Sequence, residues 1–151
     1  MQLERILIAV DGSPASRSAA EVGLEIAGAR RASVIFMHVS PTARDVYSVA
    51  SPEEGPTQEE IAAGDPVLRE AADSAASRGS ECMLVLTGGH GPEEIADEIV
   101  GTAAGLDAGM IVVGTRGRGD VASAVLGSVS HAVLKIAQIP VVVVHAGTPS
   151  G

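Results

Sequence analysis

Two stretches of this chain carry residue types that can do chemistry. "GTRGRGDVASAVLGS", Gly114 to Ser128, sets Arg116 and Arg118 among Gly114, Gly117 and Gly119 and closes on a second Gly-Ser pair, Gly127-Ser128. "ILIAVDGSPAS", Ile6 to Ser16, places a carboxylate, Asp11, at the end of an apolar run and just before Gly12-Ser13-Pro14. Glycine lets a backbone approach a ligand closely and take positive φ. A phosphate at a helix N-terminus meets unpaired N–H groups and the positive end of the helix dipole. Arginines add charge-assisted hydrogen bonds, and Ser128 and Ser130 add hydroxyls. The chemistry these residues suit is the cradling of an anion, a phosphate above all. The same glycines can also make no more than a tight turn with solvated arginines, and spacing alone leaves both open.

Two familiar phosphate motifs do not fit. The pattern G-x-x-x-x-G-K-[ST] has no match, and the single lysine, Lys135, lies well inside the last helical stretch. A G-x-G-x-x-G fingerprint should follow the first strand, but Asp11-Gly12-Ser13 stands there, and the loop at Gly114 reads G-x-x-G-x-G. Kinase-type and dehydrogenase-type chemistry lose their main support. No nucleophile–base pair stands out near the cradle, so no catalytic residue is assigned. His38 reads as a packed core or rim histidine and His131 as a solvated helix residue. His90 and His145 have no Cys or carboxylate partners at metal spacing, so no structural metal is expected. Cys82 sits in an apolar run as a small core hydrophobe. Glu93-Glu94 read as first-turn acids that favour a helix dipole.

Elements must position the two stretches. Ile6–Val10 reads as a strand ended by a turn, with Ser13 as a cap and Pro14 pre-set for the first helical position. A helical stripe follows to about Arg31, then a strand over Ser33–Val39. Residues 40–56 hold three prolines and read as an exposed loop. A helix begins near Thr57, where Thr57-Gln-Glu-Glu60 fits a capping box. It breaks or restarts at Gly64-Asp65-Pro66 and runs to Arg78. Glu81–Leu86 is a strand, Thr87–Pro92 a turn, and an acidic helix reaches about Leu106. Met110–Val113 is the fourth strand. The last helix starts at Ser123 or Ser128 and reaches Ala137, and Pro140–His145 is the fifth strand. Strand and helix alternate throughout, which specifies one α/β domain with a parallel sheet and helices on both faces. Residues 1–146 form that domain and 147–151 a flexible tail.

Composition narrows the partners. In 151 residues there is one Phe, one Tyr and no Trp, which argues against stacking on single-stranded nucleic acid. The net charge of −9 repels DNA, RNA and anionic lipid. Residues 45–98 carry thirteen acids against Arg69 and Arg78, a net of −11, while the remainder nets +2. The glycine loop lies in that less acidic remainder. A single cysteine forbids an internal disulfide. No apolar run approaches the roughly 20 residues of a membrane span, and the N-terminus lacks a secretory pattern. A cytoplasmic protein is expected.

Gly114-x2-Gly117-x9-Gly127-Ser128 resembles the G-2x-G-9x-G-[S/T] signature of the universal stress protein family, in its ATP-binding branch. "ILIAVDGSPAS" resembles that family's opening strand and Asp turn, "MHV" (Met37–Val39) its second strand end, and "LGSVSHAVLKIAQIPVVVVH" (Leu126–His145) its last helix and strand. The resemblance spans essentially the whole chain. It implies an open five-stranded parallel sheet in the order 3-2-1-4-5, a Rossmann-like fold akin to the adenine nucleotide alpha hydrolases. In that order strands one and four are neighbours whose connections diverge, a switch point where ligands bind.

Carried over residue by residue, the resemblance implies a nucleotide site. Asp11 takes the ribose hydroxyls, Ala9 floors the adenosine pocket, and Val39 offers backbone groups to the adenine edge. Val113 and Gly114 line base and sugar. Thr115, Arg116, Gly117, Arg118, Gly119, Gly127, Ser128, Val129 and Ser130 surround the phosphates. The ligand would be ATP with Mg²⁺, the role nucleotide-responsive regulation under stress, and the assembly a homodimer through the edge strand Pro140–His145. A slow Mg²⁺-dependent ATPase or a phosphoryl or nucleotidyl transferase is the rival, and a non-nucleotide interaction module a third possibility.

Overall fold

The computed structural model describes residues 3–43, 55–115 and 126–146. Their elements alternate as the sequence requires: β1 (Arg5–Ala9), α1 (Pro14–Arg30), β2 (Ser33–Ser40), α2 (Gln58–Gly64), α3 (Pro66–Ser77), β3 (Cys82–Gly88), α4 (Gly91–Gly105), β4 (Met110–Gly114), α5 (Ser128–Ile136) and β5 (Val141–Val144). The five strands form one parallel sheet in the order β3-β2-β1-β4-β5. This is the expected α/β architecture with the expected strand order.

Strand alternation divides the core into two layers. Ile6, Ile8, Val34, Phe36 and Leu84 point to one face, covered by Ala19, Leu24 and Ala27 of α1, Ile61 of α2 and Leu68, Ala71 and Ala75 of α3. Leu7, Ile35, Met37, Val85, Ile111 and Val113 point to the other, covered by Ala96, Ile99 and Ala103 of α4 and Val133 of α5. Alanine dominates the inner helix faces, so the helices sit close to the sheet and one phenylalanine suffices.

The ends of the elements follow local chemistry. Ser13 caps α1 by accepting from the Ser16 N–H, and Pro14 opens the helix. Thr57 and Glu60 form the expected capping box on α2. At Gly64-Asp65-Pro66 the chain does not merely pause. Asp65 ends α2 and caps α3, accepting from the Leu68 N–H at 2.9 Å. Its other carboxylate oxygen meets His38 Nδ1 at 2.8 Å. Strand β3 runs two residues past the expected end, because Thr87 and Gly88 still pair with Val39 and Ser40 of a long β2.

The two sheet edges are treated differently. On β3, Gln58 lays its amide against the strand: Nε2 donates to the Leu84 carbonyl at 3.0 Å and Oε1 accepts the Leu84 N–H at 2.6 Å. On β5, the Pro140 and Val144 carbonyls accept from the N–H groups of Ile111 and Thr115. Residues of even number therefore face β4, and the N–H and C=O groups of Val141 and Val143 point outward. Among the described residues no side chain hydrogen-bonds to those outward groups.

Candidate functional site

Strands β1 and β4 are adjacent, yet β1 leads to a helix on one face of the sheet and α5, after β4, packs on the other. A crevice opens between such diverging connections at the carboxyl ends of the strands. Here it is a cavity of about 490 Å³. Its walls are Ala9, Val10 and Asp11 at the end of β1, Met37 and Val39 on β2, Val113, Gly114 and Thr115 at the end of β4, and Leu126 through Ser130 at the start of α5. Ile95 and Ile99 of α4 and Ser16 of α1 complete them.

Ten residues singled out in the sequence lie on this one surface: Ala9, Asp11, Val39, Val113, Gly114, Thr115, Gly127, Ser128, Val129 and Ser130. Arg116, Gly117, Arg118 and Gly119 lie outside the described residues, as does the tail 147–151. Met37, Ile95, Ile99 and Ser16 were not foreseen. Met37 stands two residues before Val39 on the same strand face, and Ile95 and Ile99 lie one helical turn apart. Both spacings were readable, but nothing in the sequence said which apolar side chains border a cavity and which fill a core.

At the Asp11 end the backbone closes on itself. The Asp11 N–H donates to Ser16 Oγ at 3.1 Å, the Ser16 N–H to Ser13 Oγ at 3.2 Å, and the Ser13 N–H to Asp11 Oδ1 at 2.9 Å. Gly12 permits this tight turn with a φ of 83°. The ring fixes the carboxylate through Oδ1. Among the described residues Oδ2 has no hydrogen-bond partner. The result is a half-buried, oriented acceptor at one end of the cavity.

At the other end Thr115 is the hub. Its N–H donates to the Val144 carbonyl at 2.8 Å. Its own carbonyl accepts from the Gly127 N–H and, at 3.1 Å, from Ser130 Oγ. The Ser130 hydroxyl also donates to the Gly127 carbonyl at 3.0 Å. Ser130 is buried, so its proton holds the loop ends together and only its lone pairs remain to a ligand. Helix α5 starts at Ser128 with glycine as its cap residue and no side-chain cap. Its first N–H groups have no intrahelical carbonyl, and they stand at the positive end of the dipole on the cavity wall.

Gly114 serves a purpose other than backbone freedom, for its φ is not among the positive ones. A Cβ built there would lie 2.7 Å from the Ala15 carbonyl carbon, 2.8 Å from the Ala15 Cβ and 2.9 Å from the Ala15 oxygen. Gly114 lets the first turn of α1 press against the end of β4, so the Asp11 turn and the end of β4 share one crevice. The remaining titratable groups stand apart. His38 packs on the opposite sheet face, paired with Asp65. Cys82 is half-buried, and burial pushes its thiol above the ordinary range. Among the described residues no cluster of His, Cys, Asp or Glu could hold a metal ion, and no helix is long and apolar enough to cross a membrane.

The family model for the universal stress proteins matches residues 2–145. The chain belongs to the universal stress protein family. It is 30% identical to universal stress protein YxiE of Bacillus subtilis over 149 residues, covering 93% of this chain and 98% of that one. Among solved structures it resembles a universal stress protein of Archaeoglobus fulgidus at 26% identity and TM-score 0.66, covering 93% of each chain. It also resembles the universal stress protein of the same organism in complex with dAMP, at 25% identity and TM-score 0.66, covering 95% of this chain and 99% of that one. The universal stress fold therefore spans almost the whole chain.

Proposed function

We propose that this universal stress protein binds ATP with Mg²⁺ in the cavity at the ends of β1, β2 and β4, and acts as a nucleotide-responsive regulator in stress. One observation carries the proposal. An oriented carboxylate, an apolar slot and an uncapped helix N-terminus line a single 490 Å³ cavity and together offer a sugar acceptor, a base pocket and phosphate donors. The volume falls within the range of small-molecule sites. Asp11 faces the ribose hydroxyls, Ala9, Val39 and Val113 enclose the base, and the start of α5 with the Gly114–Gly119 loop receives the phosphates. The adenine nucleotide held by the Archaeoglobus fulgidus relative, dAMP, belongs to the same ligand class.

Among the described residues Asp11 is the one carboxylate on the cavity wall. Mg²⁺ keeps several waters and needs few carboxylates beside substrate phosphates. The ion would ride on the phosphate oxygens. The protein would work in the cytoplasm as a homodimer through β5. Gln58 takes up the outward groups of Leu84 on β3, whereas among the described residues no hydrogen-bond partner meets those of Val141 and Val143 on β5, and Leu134 and Ile136 of α5 are exposed. An open edge strand invites pairing with its symmetry mate.

Mass spectrometry of ligand released from freshly purified protein tests the nucleotide site. Recovery of an adenine nucleotide at near-stoichiometric amount is the expected result. Protein free of nucleotide that also shows no heat of binding with ATP and Mg²⁺ would refute it.

A further inference from the structure

Ser16 is 5% exposed and lies on the cavity wall in the first turn of α1. Its Oγ accepts the Asp11 N–H, which uses one lone pair. A hydroxyl also carries a proton. Among the described residues no carbonyl or carboxylate accepts it, although the residue is almost fully enclosed. A buried donor without an acceptor costs about 1–3 kcal/mol, so an acceptor that arrives with a ligand would be bound strongly.

The position says which acceptor. Ser16 stands beside Asp11, at the sugar end, and follows Ala15, whose backbone touches Gly114 at the entry to the phosphate loop. A phosphate that leaves the sugar at Asp11 toward that loop would pass the Ser16 wall of the cavity. That phosphate has a problem at this place, because the Asp11 carboxylate repels it. A neutral donor at the positive end of the α1 dipole relieves the repulsion. We infer that Ser16 Oγ–H donates to the sugar-proximal phosphate of the bound nucleotide. Ser16 thus discriminates nucleotides from nucleosides, and α1 joins α5 as a second helix start facing the phosphates. This inference rests on the nucleotide-binding reading of the cavity.

Ser16→Ala separates a ligand contact from a merely structural part in the Asp11 turn. Affinities for AMP and adenosine are measured by NMR titration on wild type and variant. The expected result is AMP weakened by about tenfold or more beyond whatever adenosine loses, since the adenosine loss registers only the Asp11 turn that Ser16 also holds. Equal losses for both, or a loss confined to adenosine, would make Ser16 a prop for Asp11 and overturn the inference. Unchanged AMP affinity would overturn it as well. Wild type that binds neither ligand would remove the nucleotide reading itself, a distinct failure that takes the inference with it. If Ser16→Ala melts early, Ser16→Cys keeps the volume with a weak S–H donor, and its AMP loss should match that of alanine.

Discussion

Replacing Gly114 with alanine is a small change with a large expected effect. The new Cβ would stand 2.7–2.9 Å from three atoms of Ala15, two of them backbone. Ordinary contact begins at 3.4 Å, so the start of α1 must retreat from β4 by about 0.7 Å. Neither partner is the far end of a flexible side chain, and α1 is anchored by Ala19, Leu24 and Ala27 in the core. Overpacking of this kind costs about 1–3 kcal/mol. For a chain of this length that lowers Tm by about 2–12 °C. The retreat also carries Ser13 and Ser16 with it, and through their hydrogen bonds the Asp11 carboxylate, so nucleotide affinity should fall with stability. Thermal melts followed by circular dichroism and ATP titration by calorimetry measure both. Gly101→Ala is the control. It lies inside α4 with nothing within 4 Å of its would-be Cβ, and it should gain about 1 kcal/mol from helix propensity. If Gly114→Ala melts at or above wild type, α1 is free to yield and the close-approach role of Gly114 is wrong.

Three further outcomes are expected. Asp11→Ala should weaken ATP by roughly 1.5–3 kcal/mol, the scale for hydrogen bonds to a charged group. A 2′-deoxy analogue should lose less, and equal calorimetric losses would take Asp11 off the ribose. Thr87 is 1% exposed and its Oγ1 has no partner among the described residues, so Thr87→Val should raise stability by about 1 kcal/mol by removing a desolvated hydroxyl; a lower denaturation midpoint in urea would show that the hydroxyl is satisfied after all. Val143→Pro deletes an outward N–H of β5 and leaves the ladder to β4 intact. Sedimentation should then shift from dimer to monomer, and wild type already monomeric at tens of micromolar would sink the dimer.

What could be read from the sequence depended on how local the physics was. The strands announced themselves because a parallel sheet covered on both faces needs near-continuous apolar runs, and Ile6–Val10 and Val141–Val144 have no other use. Caps at Ser13 and Thr57 were legible because a capping bond spans three residues. Asp11 and Gly114 could be placed in one crevice only once the strand order was in hand, since more than a hundred residues separate them. Features set by packing stayed hidden. Gly114 looked like a phosphate-loop glycine chosen for conformational freedom, but its neighbour across the fold, Ala15, decides its role. Asp65 looked like part of a break, but β2 brings His38 to it. Ser16 was in plain view inside the quoted opening motif, and its enclosure on the cavity wall exists only in three dimensions. The same distinction bears on the edges of the sheet. Both edge strands are apolar runs with similar aggregation hazard. Only the fold reveals that Gln58, twenty-six residues upstream of Leu84, engages one of them at Leu84 with its side-chain amide. The exposed apolar residues Leu134 and Ile136 precede the other edge in sequence. Among the described residues the outward groups of Val141 and Val143 have no hydrogen-bond partner, while those of Leu84 do, which is why β5 and not β3 is the strand to perturb.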